Sequence, residues 1–183
     1  KVIAITGSNG KTTTTALTYQ ICKHAGLDCA LVGNIGYSFA KQVAIDPKPW
    51  YVAELSSFQL DDIRDFRAHV AVLTNITEDH LDRYDYQFIN YIKSKFRIIL
   101  NQQPSDYFIY NADDEVTMQY INEFQRLSNP LPFSMRKELL QGAFVKEQEM
   151  NVVTKEDKFQ MSIYDFALKG KHNQYNTMAA GLA

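Results

Sequence analysis

"AITGSNGKTTTT", Ala4 to Thr15, carries a short apolar run into a glycine-broken turn and then into hydroxyl residues with a helix-like pattern. Strand, turn and helix opening follow in the order that a phosphate-binding loop requires. The candidate loop is Gly7-Ser8-Asn9-Gly10-Lys11-Thr12. Its glycines let backbone N–H groups turn inward around phosphate oxygens, and the helix that follows adds the positive end of its dipole. Lys11 is placed to pair with the β- and γ-phosphates of a nucleoside triphosphate, and the Thr12 hydroxyl to ligate Mg²⁺. The standard pattern has a further glycine five residues before Gly10, where this chain has Ile5; Gly7 serves in its place. A glycine turn that merely caps a helix beside a surface lysine is the competing reading, and the agreement of strand, loop and helix weighs against it.

Outward from the loop, strands and helices alternate. Strands are expected at Val2 to Thr6, Asp28 to Gly33, Tyr51 to Leu55, His69 to Ile76 and Tyr107 to Asn111. Helices are expected at Thr12 to Ala25, closed by Gly26, at Tyr84 to Asn101 and at Glu115 to Leu127. That order implies an α/β fold of phosphate-loop type, a mostly parallel sheet with helices on both faces. From about Leu131 the pattern changes, and "FVKEQEMNVVTKEDKFQMSIYDF" alternates apolar and polar residues around a charged turn at Lys155 to Lys158. This predicts a small antiparallel β-hairpin sheet before the chain returns to helix after Gly170. There is no internal repeat or low-complexity tract.

At 183 residues without a Pro-, Gly- or Ser-rich linker, the chain reads as one domain. It opens on Lys1 inside a strand pattern and stops at Ala183 inside "NTMAAGLA", ends expected of a domain within a longer protein. A net charge of −2 with mixed signs offers no basic footprint for nucleic acid and no polybasic membrane anchor. No apolar run approaches the roughly 18 residues needed to span a bilayer, and no signal peptide is visible. Small-molecule partners, a cytoplasmic setting and a monomer are expected. Cys22 and Cys29 read as buried free thiols. Asn75-Ile76-Thr77 matches a glycosylation acceptor in a context that is not secretory and is discounted.

Glu54 ends the strand of "WYVAEL" on the carboxyl edge of the sheet shared with the loop, where a carboxylate can hold Mg²⁺ or simply face solvent. The next such edge carries Thr77-Glu78-Asp79-His80-Leu81-Asp82-Arg83. His80 as neutral imidazole can ligate a divalent ion, while Glu78, Asp79, Asp82 and Arg83 read as a structural set for capping and surface pairing. In the helix from Tyr84, Phe88, Ile92, Phe96 and Ile99 make one stripe with Lys95 near its centre. The residues leave two readings of Lys95 open. It either snorkels to solvent, or its desolvated amine adds CO₂ to form a carbamate able to ligate Mg²⁺.

Taken together, "GSNGKT", "GNIG", "ELSSFQL", "NITEDHLDRY", "KSKFRI", "NADD" and "GKHNQYN" resemble, in that order, the Mur ligases of peptidoglycan synthesis. Within the family, "ELSSFQL" and "TEDHLDRY" look most like the member that adds D-glutamate to UDP-N-acetylmuramoyl-L-alanine. The resemblance implies that Gly7 to Thr12 bind ATP, with Lys11 in a catalytic role, and that Thr12, Glu54 and His80 ligate Mg²⁺. It further implies that carbamylated Lys95 supports a second ion, that Asn34 contacts the UDP-sugar, and that Asn173 and Asn176 lie near the adenine and its ribose. The reaction implied has two steps, acyl phosphate formation and then amide formation. Family members have three domains, and residues 1–183 resemble the central, ATP-binding one; the N-terminal UDP-binding and C-terminal amino-acid-binding domains are absent from this chain, which is expected to be inactive alone. Another Mur-type or folylpolyglutamate-type ligase is the nearest rival, and a non-catalytic nucleotide-binding module the rival from a different class. A guanine-specific switch is disfavoured, since no Asn-Lys-x-Asp sequence is present.

Overall fold

A computed structural model describes residues 1–155 and 157–183. Five strands of the parallel set, β1 (Val2–Thr6), β2 (Cys29–Gly33), β3 (Trp50–Glu54), β4 (Val70–Leu73) and β5 (Tyr107–Asn111), lie within a residue or three of the expected bounds. The helices are α1 (Lys11–His24), α2 (Phe39–Ile45), α3 (Ser57–Asp61), α4 (Phe88–Phe96), α5 (Glu115–Tyr120) and α6 (Lys171–Leu182). Four further strands, β6 (Asn129–Ser134), β7 (Gly142–Lys146), β8 (Glu149–Val153) and β9 (Lys158–Ser162), complete one sheet in the order β2-β3-β1-β4-β5-β6-β7-β8-β9. Pairing is parallel as far as β7 and antiparallel across β7-β8 and β8-β9.

The alternation of β1 shows how the sheet buries both faces. Val2 and Ala4 pack on one side with residues of α3, α4 and α5, whereas Ile3 and Ile5 pack on the other with Cys22 of α1 and Met178 and Ala179 of α6. A strand covered on both faces reads as an unbroken apolar run, which is why "VIAIT" looks as it does. Helix α1 is rich in threonine, a residue of modest helix propensity. It is held by tertiary packing instead, with Thr14, Thr15, Thr18 and Cys22 buried and Ala179 and Ala180 of α6 small enough for close approach.

Four expectations need correction. The long helix predicted from Tyr84 begins at Phe88, because Asp85 and Tyr86 take left-handed φ values of 55° and 54° and end a separate 3₁₀ turn at Leu81–Tyr84. It also ends earlier, with a 3₁₀ turn at Arg97–Ile99 following α4. Helix α5 stops at Tyr120 rather than Leu127. The strand expected to Ile76 ends at Leu73, beyond which Thr74 and Asn75 turn aside to the loop. Strand β6 was hidden by Pro130 and Pro132. Successive N–H groups of a strand point to opposite neighbours; Asn129 donates to Asp106 O at 2.8 Å, so both prolines face away from β5, on the side where β7 pairs only from Phe133 onward.

The antiparallel segment is present and continues the main sheet. Its first turn, Glu147-Gln148, has φ of 49° and 66°, the left-handed pair of a two-residue hairpin. The charged turn read at Lys155 to Lys158 includes Glu156, which lies outside the described residues; Thr154 N–H donates to Asp157 O at 2.8 Å across it.

On the lead-in to β4, Arg67 clamps the turn before β5. Its Nε and Nη2 donate to Asp106 Oδ2 and Oδ1, both at 2.7 Å. Burial pushes the Asp106 carboxyl up, but the Arg67 hydrogen bonds and the Gln103 amide outweigh it and hold it below the usual carboxylate range. A lowered carboxyl favours the fold above its unfolded pKa, and that stabilisation is lost as pH falls through the folded value. Asp106→Asn is therefore expected to lower stability at pH 7 by about 1–3 kcal/mol, discounted because Arg67 is partly exposed. The gap from wild type should begin to narrow only below about pH 4, the unfolded value, and close as pH falls through the lower folded value. Urea titrations at pH 7 and at about pH 2 check this; coincident midpoints at pH 7 would refute it.

Candidate functional site

The chain runs from β1 outward toward β2 but from β4 toward β5, so the direction of winding reverses between β1 and β4. A crevice at the carboxyl ends of strands is where such folds place ligands. The loop Gly7 to Gly10 occupies it. Ser8 N–H donates to Asn75 O at 2.9 Å, Asn9 N–H to Asn75 Oδ1 at 2.9 Å and Asn75 Nδ2 back to Asn9 O at 2.9 Å. Thr74 Oγ1 donates to Asn9 O at 2.7 Å. Residues at the end of β4 thus bind the loop's own polar groups and fix its course.

Two positions require glycine. A Cβ at Gly7, where φ is 146°, would sit 2.0 Å from Thr74 Oγ1, and one at Gly10, where φ is 83°, would sit 2.4 Å from Asn176 Oδ1. Helix α1 starts at Lys11 without a side-chain cap, which leaves its first amides free for an anion. Lys11 Nζ folds back onto Gly7 O and Ser8 O, each at 2.9 Å. Thr12 is exposed at the mouth of the loop.

Asn176 receives a hydrogen bond from Thr14 Oγ1 at 3.2 Å and donates to Asn173 Oδ1 at 3.3 Å, so α6 is docked on the loop through the two asparagines singled out in "HNQYN". Between α6, the loop and the end of β5 is a cavity of about 720 Å³, with Asn9, Gly10, Asn111, Asp113, Asn173 and Asn176 in its wall. That volume suits a small organic ligand. Tyr175 closes the far wall, donating to Asp113 Oδ2 at 2.9 Å; burial and that carboxylate push its phenol up to about 12. A second cavity of about 720 Å³ lies between α4 and the segment Phe124 to Leu127 that follows α5, and none of the candidate ligand-binding or metal-binding residues lines it.

Glu54 is 1 % exposed. Its Oε1 accepts from Asn34 Nδ2 at 2.8 Å, and its Oε2 has no partner among the described residues. A buried carboxylate oxygen left open is unusual unless an ion, a water or a ligand is to meet it. Asn34 is exposed and acts here as the holder of Glu54, a role not read from "GNIG". Lys95 is 1 % exposed, which rules out snorkelling. Its Nζ donates to Gly7 O at 2.9 Å and Thr6 Oγ1 at 3.3 Å. Burial, and then the charge of Lys11, pull its amine down to about 7.

His80 is placed differently. It has a left-handed φ of 50°, its ring packs 5.1 Å from that of Phe58, and its Nε2 lies 3.5 Å from Asp79 Oδ2. The guanidinium of Arg83 sits 4.7 Å from the Phe58 ring centre, so Phe58 supports the whole turn. Among the described residues, no three His, Cys, Asp or Glu side chains converge as a ready-made metal cluster. Phe58, Thr74, Asn75 and Tyr91 are the site residues that reading the sequence missed; only Tyr91 carried a signal, a hydroxyl four residues before Lys95 on a buried helix face. No described helix is long and apolar enough to cross a membrane.

A model of the Mur ligase middle domain matches residues 5–183, and the chain belongs to that family. Its relatives narrow the comparison. A protein of Christiangramia forsetii named UDP-N-acetylmuramoylalanine--D-glutamate ligase is 50% identical over 181 residues, 99% of this chain and 41% of the relative. Proteins of the same name from Porphyromonas gingivalis and Salinibacter ruber are 48% and 38% identical, each over 100% of this chain and 41% and 42% of their own length. The chain therefore spans about two fifths of the length of the curated relatives it matches. Among solved structures, a UDP-N-acetylmuramoyl-L-alanyl-D-glutamate--2,6-diaminopimelate ligase superposes with a TM-score of 0.76 at 21% identity, covering 100% of this chain and 42% of that one. A MurF ligase of Thermotoga maritima in complex with ADP superposes at 0.67 with 18% identity, over 98% and 44%. These two establish the shared fold.

Proposed function

We propose that the chain is the central nucleotide-binding domain of a three-domain, ATP-dependent ligase that joins D-glutamate to UDP-N-acetylmuramoyl-L-alanine, with the uridine-binding and amino-acid-binding domains outside it. The observation that carries this reading is the 50% identity, over 99% of the chain, to a protein named for that reaction. In this reading the loop amides and Lys11 hold the ATP phosphates, Asn173 and Asn176 border the base and ribose, and Asn34 faces the UDP-sugar.

Mg²⁺ fits the donor set. Glu54 has a buried oxygen without a partner, Thr12 an exposed hydroxyl, and the ion takes few protein ligands because it keeps several waters. Thr12, Glu54 and His80 would hold it, and Lys95 as a carbamate would support a second ion. Once bound, such ions offset the negative charge of the phosphoryl group. The substrate carboxylate attacks the γ-phosphate and expels ADP, leaving an acyl phosphate. The neutral amine of D-glutamate then attacks the carbonyl, phosphate departs and the amine proton is released. The chain's own part is to orient the triphosphate. The loop is fixed by Thr74 and Asn75, and the Lys11 ammonium is free to move from carbonyls to phosphate oxygens.

Phosphate release from ATP by the intact ligase, given UDP-N-acetylmuramoyl-L-alanine, tests the reading. D-glutamate, L-lysine, meso-diaminopimelate and L-alanine are offered separately. Release with D-glutamate alone is expected. Release driven by another amino acid would keep the ligase and discard the specificity, and release with none would leave a nucleotide-binding module. The 183-residue chain alone is expected to release none.

A further inference from the structure

Ser8 belongs to the phosphate loop, yet its side chain points into the protein. Its hydroxyl donates to Thr77 O at 2.9 Å, accepts from Thr77 N–H at 2.9 Å, and lies 3.1 Å from the hydroxyl of Tyr91. A serine hydroxyl has one proton and two lone pairs. The proton is committed to Thr77 O and one lone pair to Thr77 N–H, so Tyr91 is the donor in the third contact and the hydroxyl is saturated. Ser8 has no side-chain capacity left for a ligand, and its N–H is likewise committed, to Asn75 O at 2.9 Å, so the residue anchors the loop.

Tyr91 lies on α4 at 1 % exposure, and Ser8 is its one hydrogen-bond partner among the described residues. Its ring is fixed edge-on to Tyr84 at 5.4 Å and near-parallel to Phe88 at 6.4 Å. Lys95, four residues on and so on the same helix face, reaches Gly7 O. One face of α4 thus grips two consecutive residues of the loop.

We propose that Tyr91 is a positioning residue of the phosphate loop. Its buried hydroxyl fixes Ser8, and through Ser8 the course of the loop into Gly10 and the uncapped first amides of α1, the ones left to receive phosphate. The inference rests on the nucleotide reading above and adds a residue outside the loop to it. The contrasting role is a core aromatic whose hydroxyl merely finds a partner. That role would lower melting temperature without touching phosphate affinity.

Calorimetry on the intact ligase separates them, with ATP, inorganic tripolyphosphate and adenosine as probes in the presence of Mg²⁺. Tyr91→Phe is expected to weaken ATP and tripolyphosphate about 3- to 10-fold, the range of one hydrogen bond, and to leave adenosine unchanged. Ser8→Ala should do the same, and the double variant should be no weaker than the weaker single, since both changes break one linkage. Tyr84→Phe, which loses bonds to Asp61 and Ser94 but none to the loop, should bind tripolyphosphate as wild type does. Wild-type affinity for tripolyphosphate in Tyr91→Phe overturns the inference, as do multiplicative effects in the double variant or an equal loss for adenosine. A wild-type intact ligase that binds neither ATP nor tripolyphosphate overturns the nucleotide reading itself, and this inference with it.

Discussion

Lys11→Ala is expected to lower kcat/KM of the intact ligase for ATP by about 10²- to 10³-fold, the scale for removing one preorganised charged donor from a transferring group. The geometry gives the reason and the control. Lys11 Nζ is held by Gly7 O and Ser8 O, so without a ligand the ammonium neutralises carbonyls that would repel phosphate. On binding, the same charge can swing to phosphate oxygens without travelling beyond its own loop. The lysine is only partly buried, and Gly7 O keeps its bond from Lys95 Nζ when Lys11 is removed, so melting temperature without nucleotide should change little. The distinguishing measurement is the melting temperature with saturating ATP. A ligand stabilises the folded state by an amount set by its affinity. Wild type should rise clearly and Lys11→Ala hardly at all. A variant within threefold of wild-type kcat/KM would remove Lys11 from the phosphate role.

Where the sequence was legible, the cause was local. In "VIAITGSNGKTTTT" the strand, turn and helix are specified by contiguous residues, and β1 and α1 fall within a residue of their expected bounds. The losses came where a distant partner decides. Strand β6 carries two prolines that a strand tolerates only when the neighbour on that side is missing, which depends on β7 and not on β6. Helices α2 and α3 are seven and five residues long, too short to show a period. The break before α4 rests on two non-glycine residues in left-handed conformation, for which "YDYQ" gives no cue.

The same division runs through the site. The residue types that bind phosphate could be placed, but not the groups that hold them. Asn34 is tied to Glu54 across 20 residues, Asn75 to Asn9 across 66, and Tyr91 to Ser8 across 83. Asn75 was weighed as a glycosylation acceptor and set aside, yet it serves both backbone groups of Asn9. Lys95 shows how the two sources combine. Periodicity put a lysine on a buried face, and only packing could say whether its amine escapes to water; at 1 % exposure it does not.

Lys95→Met should separate stability from turnover. Burial and the nearby Lys11 lower the amine from 10.5 to about 7. A lysine lowered in the fold opposes folding, since the unfolded chain binds its proton more tightly. The opposition is complete below about pH 7 and fades as pH rises toward 10.5. At about 1.4 kcal/mol per tenfold it is on the order of 4–5 kcal/mol. Methionine fills similar space without a charge but forfeits the bonds to Gly7 O and Thr6 Oγ1. A net gain of about 1–3 kcal/mol is therefore expected at pH 6–7, shrinking by pH 10. Turnover of the intact ligase should meanwhile fall by about 10²-fold or more, as expected for loss of a group supporting a catalytic metal. Added formate or acetate should restore part of it in a smaller Lys95→Ala variant, because a short carboxylate can stand where a carbamate stood. Lost turnover without rescue would assign Lys95 to supporting Gly7 rather than an ion. Normal turnover in both variants would leave it no part in the reaction, and a loss of stability at pH 6–7 would show that its two hydrogen bonds outweigh the burial of its charge.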